Sequence, residues 1–281
     1  MPNFAPPISA RPVKFSVTEV ETLIRNPYAI YAKKILKLEP VADFAERPDA
    51  GLRGSLFHEA IGKWNEKQAP DLEALRLEGE IVLASLGSAE ERYFWRKHFG
   101  RLSEFLWAEQ AQLREELVKI FAEQRGETTF KVAGIEHILS ARADRIDILN
   151  NHTARIIDYK TGEIPSTDQV KANFSPQLTL QAAMLLDGAF SFKPKAVAEL
   201  IYFQIGGGQN GLKKKIAAEG GAIVIAELAQ KHWAGFINLL ASYQNPNQPY
   251  LPRLSVKEEE KPQDYDHLSR YLEWQLAEQE S

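Results

Sequence analysis

Hydrophobic and polar positions change their period partway along this chain. Near the start, Val17, Val20, Leu23 and Ile24 recur at intervals of three and four, the spacing of one helix face. Two overlapping capping boxes, Ser16 with Glu19 and Thr18 with Glu21, open that helix. Pro27 breaks it, and residues 28–38 resume as a second helical stretch. Residues 40–50, with two prolines, read as a loop leading to Gly51 and Gly54. Phe57, Ala60, Ile61 and Trp64 then predict a short amphipathic helix over 55–68. A longer helical region is predicted from about residue 89 to 124, because Trp95, Phe99, Leu102, Leu106, Leu113, Leu117 and Ile120 form one apolar seam. Its role is to cover a core.

After Gly126 the period shortens to alternation. Residues 128–132, 137–149 and 154–160 read as strands, with Asn150 and Asn151 as a tight turn between the last two. Three successive strands suggest a meander. A helix over 177–186 and an apolar β-branched segment over 196–205 follow. Gly206, Gly207, Gly208 and Gly211 lack the Lys-Ser/Thr of a phosphate loop, so they read as a flexible hairpin connection. Residues 223–243 form one more amphipathic helix, and no internal repeat is visible. The strand–strand–strand–helix–strand order belongs to the α/β class.

Composition narrows the chemistry. The 281 residues are 44% hydrophobic and 26% charged, as in globular proteins. No apolar run reaches the roughly 18 to 20 residues that span a bilayer, and the proline-rich residues 1–15 lack the apolar centre of a signal peptide. A cytoplasmic protein is expected, with no membrane partner and with 1–15 as an extended tail or linker. The absence of cysteine excludes disulfides, thiolate zinc sites, iron–sulfur clusters and a cysteine nucleophile. Any metal must be held by oxygen and imidazole. A net charge of −4 argues against a protein that coats nucleic acid, but not against an enzyme with acidic metal ligands in a cleft.

Candidate site residues come from three places. Asp158 and Lys160 are two apart in a predicted strand and so share a face. An ion pair at a sheet edge is the plain reading of such a pair. Asp144 and Asp147 lie on the neighbouring strand, where one of them can converge with Asp158 on a hard divalent cation. Alternation puts these two on opposite faces and does not choose between them, and Arg145 can pair with either. Gly54, His58 and Gly62 fall at i, i+4 and i+8 of the third helix, so His58 stands between two positions where backbone or substrate can come close. On its own it reads as a packed or surface histidine. Beside two carboxylates it becomes a metal ligand.

The succession His58, Asp144, Asp158-Tyr-Lys160-Thr-Gly and Gln177-Leu178 resembles the PD-(D/E)XK nuclease domain at the C-terminus of RecB and AddB. Ser16-Val-Thr, Asn26-Pro-Tyr-Ala, Arg53-Gly-Ser-Leu-Phe-His58 and the terminal stretch from Tyr265 to Trp274 look like AddB rather than RecB. The likeness covers nearly the whole chain. It implies a restriction-endonuclease-like core with a mixed central sheet and extra helices before and after it. As one nuclease domain over 1–281, it would comprise a helical region carrying the histidine (16–125), the catalytic core (126–205) and a C-terminal hairpin, helix and tail (206–281).

The resemblance also implies roles. His58, Asp144 and Asp158 would bind Mg²⁺ or Mn²⁺, Lys160 would orient or activate the attacking water, and Gln177 would touch the active-site groups or the DNA backbone. Asp144 is preferred to Asp147 because the family's aspartate ends a G-x-x-D motif, here Ala141-Arg-Ala-Asp144. Ala141 replaces the glycine of that motif, and Gln181 stands where Q-L-x-x-Y has tyrosine, a change that bears on DNA contacts. Asn26 occupies the place of a cysteine that carries an iron–sulfur cluster in many AddB proteins, which implies the cluster-free branch. The function implied is a DNA nuclease, an exonuclease in the full complex, acting with an AddA-like helicase-nuclease in double-strand-break repair. With no Walker A sequence, no ATP hydrolysis is expected, and the chain reads as an excised domain or truncated product. Lys213, Lys214 and Lys215 are candidate phosphate contacts, although a solvated charged hairpin is the simpler reading. A non-catalytic DNA-holding or assembly module with the same fold is the alternative.

Overall fold

The computed structural model describes residues 4–40, 49–67, 71–206, 212–217, 220–253, 263–271 and 273. A mixed sheet forms from β1 (Lys14–Ser16), β2 (Leu117–Val132), β3 (Ile135–Leu149), β4 (Ala154–Lys160), β5 (Val197–Gln204) and β6 (Lys213–Ile216). β2, β3 and β4 are successively antiparallel, so the predicted meander is present. β2 runs along one edge of β3 for its whole length. The other edge of β3 is therefore shared, parallel β1 taking residues 138–140 and antiparallel β4 taking 145–148. β4 continues to parallel β5, and β5 to antiparallel β6.

Helices cover both faces. α1 (Val17–Arg25), α8 (Gln177–Asp187) and α9 (Gly221–Ser242) pack on the face formed by Ala154, Ile156, Leu200 and Tyr202. α3 (Asp49–Asn65), α4 (Leu72–Leu83) and α5 (Ala89–Glu109) pack on the opposite face, against Ile157, Tyr159, Ile201 and Phe203. Strand alternation along β4 and β5 thus feeds two separate apolar layers, which is the pattern of a strand buried on both sides. The remaining short helices are α2 (Pro27–Ile30), α6 (Ala111–Glu115), α7 (Thr167–Lys171) and α10 (Asp266–Ser269). Among the described residues no helix is long and apolar enough to cross a membrane.

Local chemistry explains most boundaries. Ser16 caps α1, its Oγ accepting from Glu19 N at 3.2 Å while Ser16 N donates to the Glu19 carboxylate at 2.9 Å. Only this first predicted box forms; Thr18 lies inside the helix and bonds Ser16 Oγ. After the break at Pro27, α2 is followed by a π-helical turn over Tyr31–Ile35. The Asn26 carboxamide joins this corner to the C-terminal part of the chain, accepting from Arg253 N at 3.2 Å and donating to Gln263 Oε1. The helix of His58 starts at Asp49, earlier than expected, so Ala50 and Gly51 are helical; residues 41–48 of the predicted loop lie outside the described residues. α4 was not foreseen, although Asp71 caps it by accepting from Ala74 N at 2.6 Å.

The long helix predicted to residue 124 is corrected. α5 ends at Glu109, α6 adds one turn, and from Leu117 the chain is strand. Leu117 and Ile120 continue the apolar spacing of the helix before them, but pairing with the entire length of β3 wins over local periodicity. The glycine segment does connect an antiparallel pair, as predicted. Gly207, Gly208 and Gly211 lie outside the described residues, whereas Gly206 is placed: a Cβ there would stand 1.6 Å from the Thr161 carbonyl oxygen. This close approach ties the end of β5 to the residue after Lys160.

Between α8 and α9, His232 is buried with Nδ1 2.6 Å from Thr179 Oγ1. Burial pushes this imidazole down to about 4 from an ordinary value of 6.5. Its stabilising contribution is whole above the unfolded value and is lost as pH falls from there toward the folded one, because in that window only the unfolded chain gains the proton. Melting curves should show His232→Asn with a flatter loss of Tm between pH 7 and 5 than the wild type. Parallel profiles would remove this histidine from the acid response.

Candidate active site

β3 and β4 separate at the level of Asp144. Their ladder ends with Arg145 opposite Ile157, and where the next rung would lie the Asp144 Oδ2 accepts the Tyr159 N–H at 2.8 Å. β3 also changes face here. Leu139, Ala141 and Ala143 point into the α8 layer, but beyond Asp144 it is Ile146 that does so, while Arg145 and Asp147 point to the α3 side. On β2 the residue opposite this break is Glu123, in left-handed conformation at φ 51°. A local irregularity of both strands therefore takes Asp144 out of the sheet's alternation.

That flip gives the two aspartates different partners. Asp147 is fully buried and held by Arg145, Nε to Oδ1 at 2.5 Å and NH2 to Oδ2 at 3.0 Å, with Arg155 NH1 3.5 Å away. Asp144 is left for other work. His58 Nδ1 lies 3.9 Å from Asp144 Oδ2, and the ring stands edge-on to Tyr159. The two glycines flanking His58 bring its helix close: a Cβ on Gly54 would be 2.9 Å from the Thr161 side chain, and one on Gly62 3.0 Å from the Glu123 carboxylate.

On β4, Asp158 and Lys160 share a face as predicted, and Gln177, the first residue of α8, bridges them. Gln177 Nε2 donates to Asp158 Oδ1 at 2.5 Å, and Lys160 Nζ donates to Gln177 Oε1 at 2.5 Å. Lys160 Nζ also stands 3.0 Å from Asp158 Oδ2, without hydrogen-bond alignment, so this buried oxygen has no hydrogen-bond donor. Apart from the nearby ammonium no hydrogen bond offsets its burial, a state that a metal ion or a proton would relieve.

Electrostatics point the same way. The Asp144 carboxyl is pushed up to about 8, first by burial and then by the negative charge of Asp158, with Glu123 adding to it and the Tyr159 N–H and Lys160 opposing. Burial lowers His58 despite the attraction of Asp158 and Glu123, so its imidazole is neutral at pH 7 with a lone pair to offer. Two carboxylates and an imidazole with too little positive charge among them fit a divalent cation. Among the described residues, no group of three or more His, Asp or Glu side chains is placed to hold a metal ion by itself.

Behind this centre lies a polar network that the sequence did not announce. The Tyr159 hydroxyl meets Asn65 Nδ2 at 3.4 Å and Gln110 Nε2 at 3.3 Å, and the Arg145 guanidinium donates to Asn65 Oδ1 at 3.1 Å and Gln110 Oε1 at 2.8 Å. Asn65 is seven residues after His58 on α3, so the network fixes that helix against the strand that carries Asp158 and Lys160. Glu123, read from sequence as helical, is the other residue missed. Of the remaining candidates, Gln181 is buried with its amide on the Arg142 carbonyl at 3.1 Å, so it serves β3 and does not face a solvent-borne polymer. Lys214 pairs with Phe203 across β5 and β6, and the side chains of Lys213 and Lys215, like that of Arg53 and all of Trp274, lie outside the described residues.

A family model described as the PD-(D/E)XK nuclease superfamily matches residues 14–276. The chain belongs to the PD-(D/E)XK nuclease superfamily. Its α/β architecture, a mixed sheet flanked by helices, is that of a PD-(D/E)XK, restriction-endonuclease-like fold. Similar proteins include one from Rickettsia felis, named only as an uncharacterized protein, that is 28% identical over 92% of this chain and 34% of its own length. Another of the same description from Rickettsia bellii is 32% identical over 63% of this chain and 22% of its own. The PD-(D/E)XK chain thus spans about a third or less of the curated relatives it matches. A solved structure titled "Crystal structure of SSO0001" aligns at 13% identity with a TM-score of 0.34, over 79% of this chain and 76% of that one.

Proposed function

We propose that this chain is a metal-dependent deoxyribonuclease whose centre is His58, Asp144, Asp158 and Lys160, with Gln177 as their organiser. The observation that carries the reading is the convergence of the partly buried Asp144 and the buried Asp158, whose Oδ2 has no hydrogen-bond donor, with His58 3.9 Å from Asp144 and Lys160 3.0 Å from Asp158. His58, Asp144 and Asp158 would hold Mg²⁺ or Mn²⁺, which when bound supplies polarisation of the scissile phosphate and a lowered pKa for water. The protein's own groups do the rest. Gln177 fixes Oδ1 of Asp158 and so leaves Oδ2 as the oxygen that would meet the cation. Tyr159 N–H fixes Asp144. Lys160, held at the edge of the pair, faces the negative charge that grows on phosphorus oxygens as the water oxygen bonds to phosphorus and the bond to the leaving oxygen breaks.

The AddB-like segments named above support a finer reading, in which this domain trims DNA ends as an exonuclease within a larger assembly that includes an AddA-like subunit. The greater length of the relatives is compatible with such a setting. A non-catalytic DNA-holding module is the second reading, favoured by the lack of a ready-made three-ligand cage among the described residues.

Calorimetric titration with Mn²⁺ separates the two. Since Asp144 carries a proton below about pH 8, the cation must displace it, and apparent affinity should rise from pH 6 to pH 8 by up to about tenfold per unit. A carboxyl raised on folding stabilises the metal-free protein at low pH and loses that contribution as pH climbs through the folded value, so Mn²⁺ should raise Tm more at pH 8 than at pH 6. Absence of Mn²⁺ binding in a protein that still retains DNA would favour the holding module.

A further inference from the structure

Beside the catalytic centre, on the α1 and α8 side of the sheet, a cavity of about 820 Å³ opens between α1, the segment 161–166 that follows β4, and the starts of α7 and α8. Its volume suits a small-molecule-sized group. Lys160 and Gln177 belong to its wall and to the catalytic centre alike, so whatever enters it lies directly against the reacting phosphate. We propose that this cavity receives the nucleoside next to the scissile phosphate, base first, an inference that rests on the nuclease reading.

The wall chemistry selects a nucleoside over a phosphate. Its charged residues are Glu21, Glu163, Arg25 and Lys160, two of each sign. Both cations are engaged inside the protein: Arg25 donates to the Phe174 carbonyl at 2.9 Å and Ser175 Oγ at 2.8 Å and pairs with Glu21 at 3.2 Å, and Lys160 is held by Asp158 and Gln177. With both cations engaged and Glu21 in the ion pair with Arg25, the wall has no surplus of positive charge to host a second phosphate. What remains suits a neutral, flat, hydrogen-bonding group. Hydroxyls and carboxamides such as those of Thr18, Thr22, Ser166 and Gln169 offer both donors and acceptors, and Ile164, Pro165 and Tyr202 offer apolar surface for a ring face. A base can enter only when it is out of a duplex stack, so a frayed or unpaired stretch is the form that fits.

Thr22 is half-buried on α1 with its side chain on the cavity wall, and Thr22→Trp would fill the space from the helix surface without touching the metal ligands. The test uses the full chain in an Asp158→Asn background, which keeps the strand uncut, and an oligodeoxynucleotide carrying 2-aminopurine at successive positions. The expected result is a fluorescence change at one position, binding weakened about tenfold or more by Thr22→Trp, and displacement by free deoxynucleoside but not by inorganic phosphate. Thr18→Trp, from the previous turn, should act the same way, and circular dichroism checks that both variants fold. An unchanged signal in both tryptophan variants, or release by phosphate alone, overturns the assignment. A base signal abolished by Thr22→Trp together with no cleavage by the wild-type protein in Mn²⁺ would leave the cavity standing and remove the nuclease reading; cleavage with no base signal would do the reverse.

Discussion

Asp158→Asn and Lys160→Ala should each lower metal-dependent cleavage of DNA on the order of 10³-fold or more while leaving the melting temperature within a few degrees of wild type. The Asp158 carboxylate is the junction of the proposed site: Gln177 holds one oxygen, and the other, buried and without a hydrogen-bond donor, lies 3.0 Å from Lys160 Nζ and is the oxygen left to meet the proposed cation. Asparagine keeps the shape and a partner for Gln177 but removes the charge that an ion needs. Lysine 160 is a third exposed, so its loss is absorbed by water and costs little in stability, whereas the charge it would set against the phosphate in the transition state cannot be replaced by solvent. End-point assays on single- and double-stranded substrates with Mg²⁺ and Mn²⁺ read the effect. Full activity in both variants would end the enzymatic reading, and full Mn²⁺ binding by Asp158→Asn would move the cation elsewhere.

The second large effect concerns folding. Arg145→Met should destabilise the protein by about 3–5 kcal/mol, because it leaves Asp147 buried with its carboxylate largely uncompensated, and it also orphans the Asn65 and Gln110 carbonyl oxygens. In melting experiments this corresponds to a fall in Tm on the order of 10 °C for a chain of this size. The double variant Arg145→Met/Asp147→Leu should recover a good part of that loss, since an apolar pair of similar volume replaces a buried ion pair at little cost. Its activity should stay low even where stability returns, because the guanidinium that holds the Asn65 and Gln110 carbonyl oxygens, and through Asn65 the helix of His58, is still missing. A single variant as stable as wild type would contradict this account of the network.

Those two centres differ in how far the sequence disclosed them. Asp158 and Lys160 could be placed on one face because strand alternation holds along β4, whereas Gln177 was singled out only by family likeness, at the start of a helix that the pattern did predict. His58 was legible through its flanking glycines, which the structure shows as the places where α3 meets Thr161 and Glu123. Asp144 could be told from Asp147 only by family likeness, since the change of face at Asp144 breaks the very alternation that a sequence reading relies on. The Arg145 network joins residues 35 and 80 positions from that arginine and has no local signature. β2 was hidden for another reason: Leu113, Leu117 and Ile120 keep the spacing of α5, and only the presence of β3 alongside turns that stretch into strand. β1, three residues long, is too short to show any period.

The break between β3 and β4 carries one more consequence. At its end a backbone amide is served by a side-chain oxygen, so Asp144, the proposed metal ligand, is also a piece of the sheet's stitching. Truncating it to alanine would unfasten the neighbouring strand tip, and with it the residues on either side of Tyr159, so a dead enzyme would say little about charge. Only a replacement that still accepts from that amide, such as asparagine, isolates what the carboxylate would do in the proposed reaction from what it does for the chain's geometry.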